Sequence, residues 1–520
     1  MRGLAAALFL AWTAANAADV VPPKFRLGDA ATPQLYDLHL AIDPAEPTFT
    51  GEVRIDMLVN RDTDVLWLHA RGLEIDEAVF RQGEKTLQVR MQRAGEDLVG
   101  FEAIGDRFLF GTTSASIRYR GKVEPSATQG IFHVSEGGKP YVMSQFESIS
   151  ARRAIPGFDE PGWKTPWDIT LDAPAADAAV SNAAEVASED IAGRPGWKRH
   201  RFARTKPLPT YLVALAVGPF AIADGGTAGQ ARTPLRFAAP EGRAAEARFA
   251  RGATPRMLQL LEAYFGTPFP FDKLDSVAIP GTTRFGAMEN AGMITYDSRL
   301  LLAAPRDETP EFQRAYVSVG SHEMAHQWFG DLVTLAWWDD VWLNEAFATW
   351  MARKTLGEFR PEWASGWRHG EQRRRALEAD HVVSARQVRN AVKDENDIYG
   401  GFDGITYSKG AEVLSMFESW LGEAAFRQGV RGYLSRHAGG NATSEDFFRA
   451  VGEAAGRGEQ AVAALRSFVE QPGLPLVDVS LACGGGRLPA LKVSQRRFAA
   501  LGREAPSQRW ITPACFRYRA

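Results

Sequence analysis

Residues Ser321 to Trp350 read SHEMAHQWFGDLVTLAWWDDVWLNEAFATW. The stretch opens with His322-Glu323-x-x-His326, and eighteen residues lie between His326 and Glu345. Helix positions i and i+4 share one face, a turn apart, so His322 and His326 can present two imidazoles to one metal ion. Glu323, one step round the helix, can reach a water on that ion. Glu345, within Asn344-Glu345-Ala346-Phe347-Ala348, is placed to give a third ligand. Two histidines and one glutamate leave a fourth tetrahedral position for water, the composition of a catalytic zinc site rather than a structural one. The competing reading is two surface histidines on an amphipathic helix. With 9 His and 63 acidic residues in 520, composition alone gives roughly 0.02 His-acid-x-x-His motifs, and a glutamate at a fixed later spacing lowers that about tenfold. The metal reading is therefore taken forward, with one Zn2+ per chain.

Zinc lowers the pKa of its bound water to about 7 and polarises a carbonyl. Glu323 would take the water's proton and pass it to a leaving amine. That chemistry suits hydrolysis of an amide.

The surrounding chain sets limits. A net charge of −3 leaves no basic excess to neutralise phosphates, which argues against nucleic acid as a partner. Arg2, the apolar run Leu4 to Ala14 and Ala15-Asn16-Ala17 read as a secretory leader over 1–17, so an exported, periplasmic or extracellular protein is expected. The apolar run is about half the roughly 20 residues of a spanning helix, and no stable membrane span is expected after cleavage. The two cysteines, Cys483 and Cys515, are read either as a disulfide or as two free thiols.

Alternation carries the fold. Tyr36, Leu38, Leu40 and Ile42, then Val53, Ile55, Met57 and Val59, then Leu87, Val89 and Met91, then Ala115, Ile117 and Tyr119 recur with period two. This predicts an N-terminal antiparallel β domain over 18–224. Asp224 to Gly229 reads as a linker. Helical patterns follow at Glu241 to Phe265, Glu311 to Phe329, Asn344 to Leu356, Glu371 to Ala379, Lys409 to Leu421, Ser444 to Ala455 and Glu459 to Glu470, giving a mainly helical catalytic domain over 225–471. Gln471-Pro472-Gly473-Leu474-Pro475 ends them. Leu476, Leu491 to Val493 and Trp510 to Tyr518 look like strands again, an incomplete β-sandwich over 472–520. The fold class is multidomain α+β.

Three further motifs point the same way. Gly286-Ala287-Met288-Glu289-Asn290 lies 31 residues before the His-Glu pair. Tyr407-Ser408-Lys409-Gly410 follows it. Ser144-Gln145-Phe146-Glu147 and Ala151-Arg152-Arg153-Ala154-Ile155-Pro156-Gly157-Phe158-Asp159-Glu160-Pro161 precede it. Together with the HExxH-x18-E pattern these resemble the M1 family of zinc aminopeptidases, whose catalytic domain is thermolysin-like. The resemblance implies that Glu289, with Gly286, Ala287 and Met288 around it, and Glu147 bind the substrate's free α-amino group. It implies that Gln145 lies in the pocket for the first side chain, and that Tyr407 donates to the oxyanion. The expected partners are thus peptides with a free N-terminus. Larger members of the family continue further at the C-terminus, so the resemblance also implies a shortened chain; the alternative reading is a peptide-binding remnant with impaired catalysis. Asn344, Asp331 and Asp339 are candidates to orient the ligating histidines, and the tryptophans of the opening stretch are read as core.

Overall fold

The computed structural model describes residues 21–515 apart from 126–128, 282, 284, 364–365, 485–486, 500–501 and 503. The leader expected over 1–17 lies outside the described residues. What is described is multidomain α+β: sheets first, then a helical region with its own sheet, then a hairpin.

The alternating residues form strands as expected. Tyr36, Leu38 and Leu40 point inward from Ala31–Ala41, and Val53, Ile55, Met57 and Val59 from Thr48–Val59. These strands pair antiparallel and, with Gly111–Lys122, form the middle of an eight-stranded sheet. One pair departs from the antiparallel pattern: Ala31–Ala41 lies parallel to Trp167–Pro174. There the stacked rings of Tyr36 and Trp167 lie 3.9 Å apart. The third alternating run is broken. Leu87 ends one strand and Val89 starts another in a separate three-stranded sheet, where Met91 is exposed. A four-stranded sheet carries Lys139–Gln145, whose end delivers Gln145 and Glu147 to the catalytic region.

The acidic turn after it is structural. Arg152 pairs with Asp159 at 2.8 Å with both side chains buried. Gly157 packs closely: a Cβ there would stand 2.8 Å from the Tyr36 hydroxyl, which accepts the Phe158 N–H at 2.9 Å.

Two expectations fail at the joints. The Gly-rich segment read as a linker is the end of strand Phe220–Ala228. It pairs antiparallel with Thr233–Pro240, and the pairing shifts register between Asp224 and Thr227. Glycines here serve a bulge and a turn, not a flexible tether. These strands open a five-stranded sheet with Leu274–Ile279, Met293–Asp297 and the short edge strand Ala287–Met288. Near the C-terminus, Pro475–Gly484 and Arg487–Arg497 pair as a hairpin. Trp510 to Cys515 form no strand, however, and 516–520 lie outside the described residues. Cys483 and Cys515 are free and exposed, so the disulfide reading is not realised.

The helices pack as a second core. Pro310–His326 and Val341–Phe359 lie against each other, with Arg248–Phe265 alongside. Trp328, Trp338, Trp342 and Trp350 are fully buried, as expected of core residues, whereas Trp337 is only half-buried. Phe329 stacks on Phe347 with ring centroids 3.9 Å apart, which holds the end of one helix against the middle of the other. Lys164 bolts the two halves: its ammonium donates to the Asp331 carbonyl at 2.7 Å and to that of Leu332 at 3.0 Å.

Candidate active site

The helix Pro310–His326 starts on a Thr309 cap, whose hydroxyl accepts the Phe312 N–H, and Pro310 occupies its first turn. Its last turn carries His322, Glu323 and His326. Glu345 comes from the second turn of Val341–Phe359. The ligand atoms converge: His322 Nε2 is 3.1 Å from His326 Nε2 and 3.2 Å from Glu345 Oε2, and His326 Nε2 is 3.6 Å from Glu345 Oε2. Ligands about 2.0–2.1 Å from a tetrahedral zinc stand roughly 3.3 Å apart, so this triangle has the edges of one face of a zinc tetrahedron.

The tautomers agree. His326 Nδ1 lies 3.2 Å from the Phe329 carbonyl, which can only accept. The ring therefore donates from Nδ1 and turns a lone pair on Nε2 toward the triangle. His322 Nδ1 has Thr349 Oγ1 at 3.4 Å. The orienting groups are thus a main-chain carbonyl and a threonine, not Asn344, Asp331 or Asp339. Asp339 instead accepts the Val392 N–H at 2.7 Å, and Asp331 is buried with neither carboxylate oxygen hydrogen-bonded. Gly330 makes room for the ring: a Cβ there would lie 3.2 Å from His326 Nδ1.

A cavity of about 760 Å³ opens on this triangle. His322, Glu323, Glu345, Gln145, Glu147, Ala287, Glu289 and Tyr407 all line it. Carboxylate oxygens of Glu147, Glu289 and Glu345 lie within 4.8 Å of one another. Four glutamates therefore face one cavity, and among the described residues no lysine or arginine lines it. Such a cluster calls for cations from outside the chain.

The titrations follow from this crowding. Burial, then the Glu289 and Glu345 charges, push the Glu147 carboxyl well up. Burial and then Glu289 do the same to Glu323, and burial raises Glu289. Burial opposes ionisation of Glu345 as well, but His326 and His322 outweigh it and hold it down at about 2. Burial, then the Glu345, Glu147 and Glu289 charges, push the Tyr407 hydroxyl well up, which keeps it a donor.

Gly286, with φ +84°, leads into Ala287–Met288, an edge strand paired antiparallel with Met293–Asp297. Among the described residues its other edge carries no strand in the sheet. Gln145 Nε2 lies 3.3 Å from Met288 Sδ, joining the two motifs at one wall.

Sequence reasoning missed several participants. Gln327 clamps the Glu289 loop: its Nε2 donates to the Glu289 carbonyl at 2.7 Å, and its Oε1 accepts the Gly292 N–H at 2.9 Å. Its place directly after His326 was the available signal. Phe285, Gln129, Tyr399 and Phe402 also line the cavity; nothing in their spacing singles them out.

Comparison with known proteins gives consistent matches. The family model described as Peptidase family M1 domain matches residues 249–471, and the Peptidase M1 N-terminal domain matches 32–212. Aminopeptidase M1-D of Oryza sativa subsp. japonica is 32% identical over 500 residues, covering 94% of this chain and 54% of that protein. Aminopeptidase 2 of Candida albicans is 33% identical, covering 94% and 52%. Probable aminopeptidase 1 of Sulfurisphaera tokodaii is 33% identical, covering 90% and 56%. The chain spans about half the length of these relatives.

Proposed function

The chain belongs to peptidase family M1, and from that premise we propose that it is a zinc-dependent aminopeptidase, a hydrolase that removes the first residue of peptides. The observation that carries the reading is the meeting of two carboxylates, Glu147 and Glu289, with the His322–His326–Glu345 triangle in one cavity. A metal triangle alone suits any amide hydrolase. Carboxylates at a fixed distance from it suit a substrate whose chain begins there, because they pair with an α-ammonium group.

His322, His326 and Glu345 would hold a zinc ion, which when bound would lower the pKa of a water and polarise the scissile carbonyl. Glu323, buried and with its carboxyl pushed up, accepts a proton from the attacking water and returns it to the leaving nitrogen. The Tyr407 hydroxyl donates to the oxygen that gains charge. Glu147 and Glu289 accept from the α-ammonium. Gln145, backed by the buried Met288, contacts the first side chain. The Ala287–Met288 edge offers main-chain partners to the extended substrate. An anionic first residue would sit among four carboxylates, so neutral or basic residues are preferred.

The test uses purified protein with aminoacyl-nitroanilides and their N-acetylated counterparts, with and without a chelator. Free-amine substrates should be cut, N-acetylated ones spared, and the activity should vanish with the chelator and return with zinc. Cleavage of both kinds of substrate, or of neither by the zinc-loaded protein, would overturn the reading.

A further inference from the structure

Residues Ile405–Lys409 form a π-helix that runs directly into the helix Gly410–Leu421. Tyr407 sits at its centre, its ring centroid 6.2 Å from that of His322. A π-turn is wider than an α-turn and rare, and tends to persist where neighbours hold it.

Its leading end is held by Arg386, whose Nη2 donates to Thr406 Oγ1 at 2.7 Å and to the Gly401 carbonyl at 3.0 Å. Its trailing end is held by Lys409. The Lys409 ammonium donates to Asp380 Oδ1 at 2.9 Å and to the Gly473 carbonyl at 2.9 Å. Asp380 Oδ1 also accepts the Gly473 N–H at 2.9 Å. The Lys409 and Asp380 side chains are 7% and 0% exposed.

The three residues come from three places. Asp380 is the last residue of the helix Gly366–Asp380, and Gly473 lies in the turn before the C-terminal hairpin. Arg497 of that hairpin donates to the carbonyls of Val382 and Val383, both at 3.3 Å. Gly410 adds a close approach: a Cβ there would lie 2.6 Å from Ala346 Cβ, beside Glu345.

A buried ion pair is a poor source of stability, since apolar residues of the same volume often serve as well. Its charge-assisted hydrogen bonds do fix geometry. Lys409 does not line the catalytic cavity, yet it is two residues from the hydroxyl proposed to meet the oxyanion. We propose that Lys409 is a positioning residue, which with Asp380 and Gly473 locks the π-turn so that Tyr407 is aimed into the cavity. The C-terminal hairpin thereby helps to set the oxyanion donor. The proposal rests on the reading of Tyr407 as that donor.

The experiment compares four zinc-loaded proteins: wild type, Tyr407→Phe, the pair Lys409→Met with Asp380→Asn, and all three substitutions together. The pair removes both charges at once, so no lone charge stays buried. Thermal unfolding and zinc content report whether the fold is kept. The pair should lower kcat about tenfold by displacing the donor, with KM within about twofold, and should cause no further loss once Tyr407 is phenylalanine. An equal kcat loss in both backgrounds, a change in KM alone, or no loss overturns the proposal. If Tyr407→Phe itself is as fast as wild type, the reading of Tyr407 falls, and the positioning role with it. Should the pair fail to fold, Lys409→Gln with Asp380→Asn, which keeps hydrogen-bonding groups and leaves no lone charge, is read in the same two backgrounds.

Discussion

Glu323 is surrounded by carboxylates that must take up a proton or find a cation. Under the proposed mechanism that setting suits a base: a carboxyl pushed up by burial and by Glu289 holds a taken proton better than an ordinary carboxylate does. Glu323→Gln keeps the shape and removes the base. It should lower kcat by about 10²- to 10⁴-fold while leaving zinc content unchanged, which steady-state kinetics and metal analysis will report. Tyr407→Phe should cost about 10²- to 10³-fold in kcat, as loss of one oxyanion donor does, with KM nearly constant. Glu289→Gln removes a charge from the amine site. The ratio of free-amine to N-acetylated cleavage should then fall at least tenfold, by the value of one charge-assisted hydrogen bond, and a ratio equal to wild type would count against the amine assignment.

At the scale of elements, the site is a matter of helix ends and one strand edge. Gly330 follows the zinc-motif helix with φ +141°, and a Cβ there would press on His326 Nδ1. Gly330→Ala should weaken zinc binding about 10- to 100-fold, as displaced orienting groups do, and competition with a chromogenic chelator measures it. What the sequence disclosed at this scale divides by range. His322, Glu323, His326 and Glu345 are legible because helical spacing and one short connection bring them together. The strands from Ala31 to Val59 are legible because one face of each is buried and the other is wet. Leu274–Ile279 and Met293–Asp297 were not, because both are buried on every side and show no alternation. Asp224 to Gly229 misled because glycine marks a bulge as readily as a tether. Glu147 and Gln145 reach the site across a domain boundary, and their place was known only through a motif shared with a family. The Lys409–Asp380–Gly473 lock joins residues 29 and 64 positions apart, which no local pattern encodes.

Taken as a whole, the molecule concentrates negative charge in one cavity, and among the described residues no lysine or arginine lines it. Removal of the metal should therefore show in stability as well as in activity. The folded state holds Glu147, Glu289 and Glu323 with raised pKa, so above the ordinary carboxylate range it binds more protons than the unfolded chain. Stability from these groups is present at low pH and is lost as pH rises through the folded values. The raised His326 and Asp331 act in the same direction, the buried His322 and His69, held below the ordinary histidine value, oppose it, and the lowered Glu345 acts only below the ordinary carboxylate range. The Tm of the metal-free protein should thus rise as pH falls from 7.5 to 5.5, by differential scanning calorimetry, and a Tm that falls over that interval would contradict the charge assignment. The parallel pairing of Ala31–Ala41 with Trp167–Pro174 has another consequence, one of timing. Tyr36 and its partner Trp167 are 131 positions apart. At about 5–20 residues per second, a ribosome needs roughly 7–26 s to deliver the second strand after the first. For that interval one side of the first strand has no neighbour, so the nascent chain is exposed to mispairing and in need of a chaperone before His322, Glu323, His326 and Glu345 have been made.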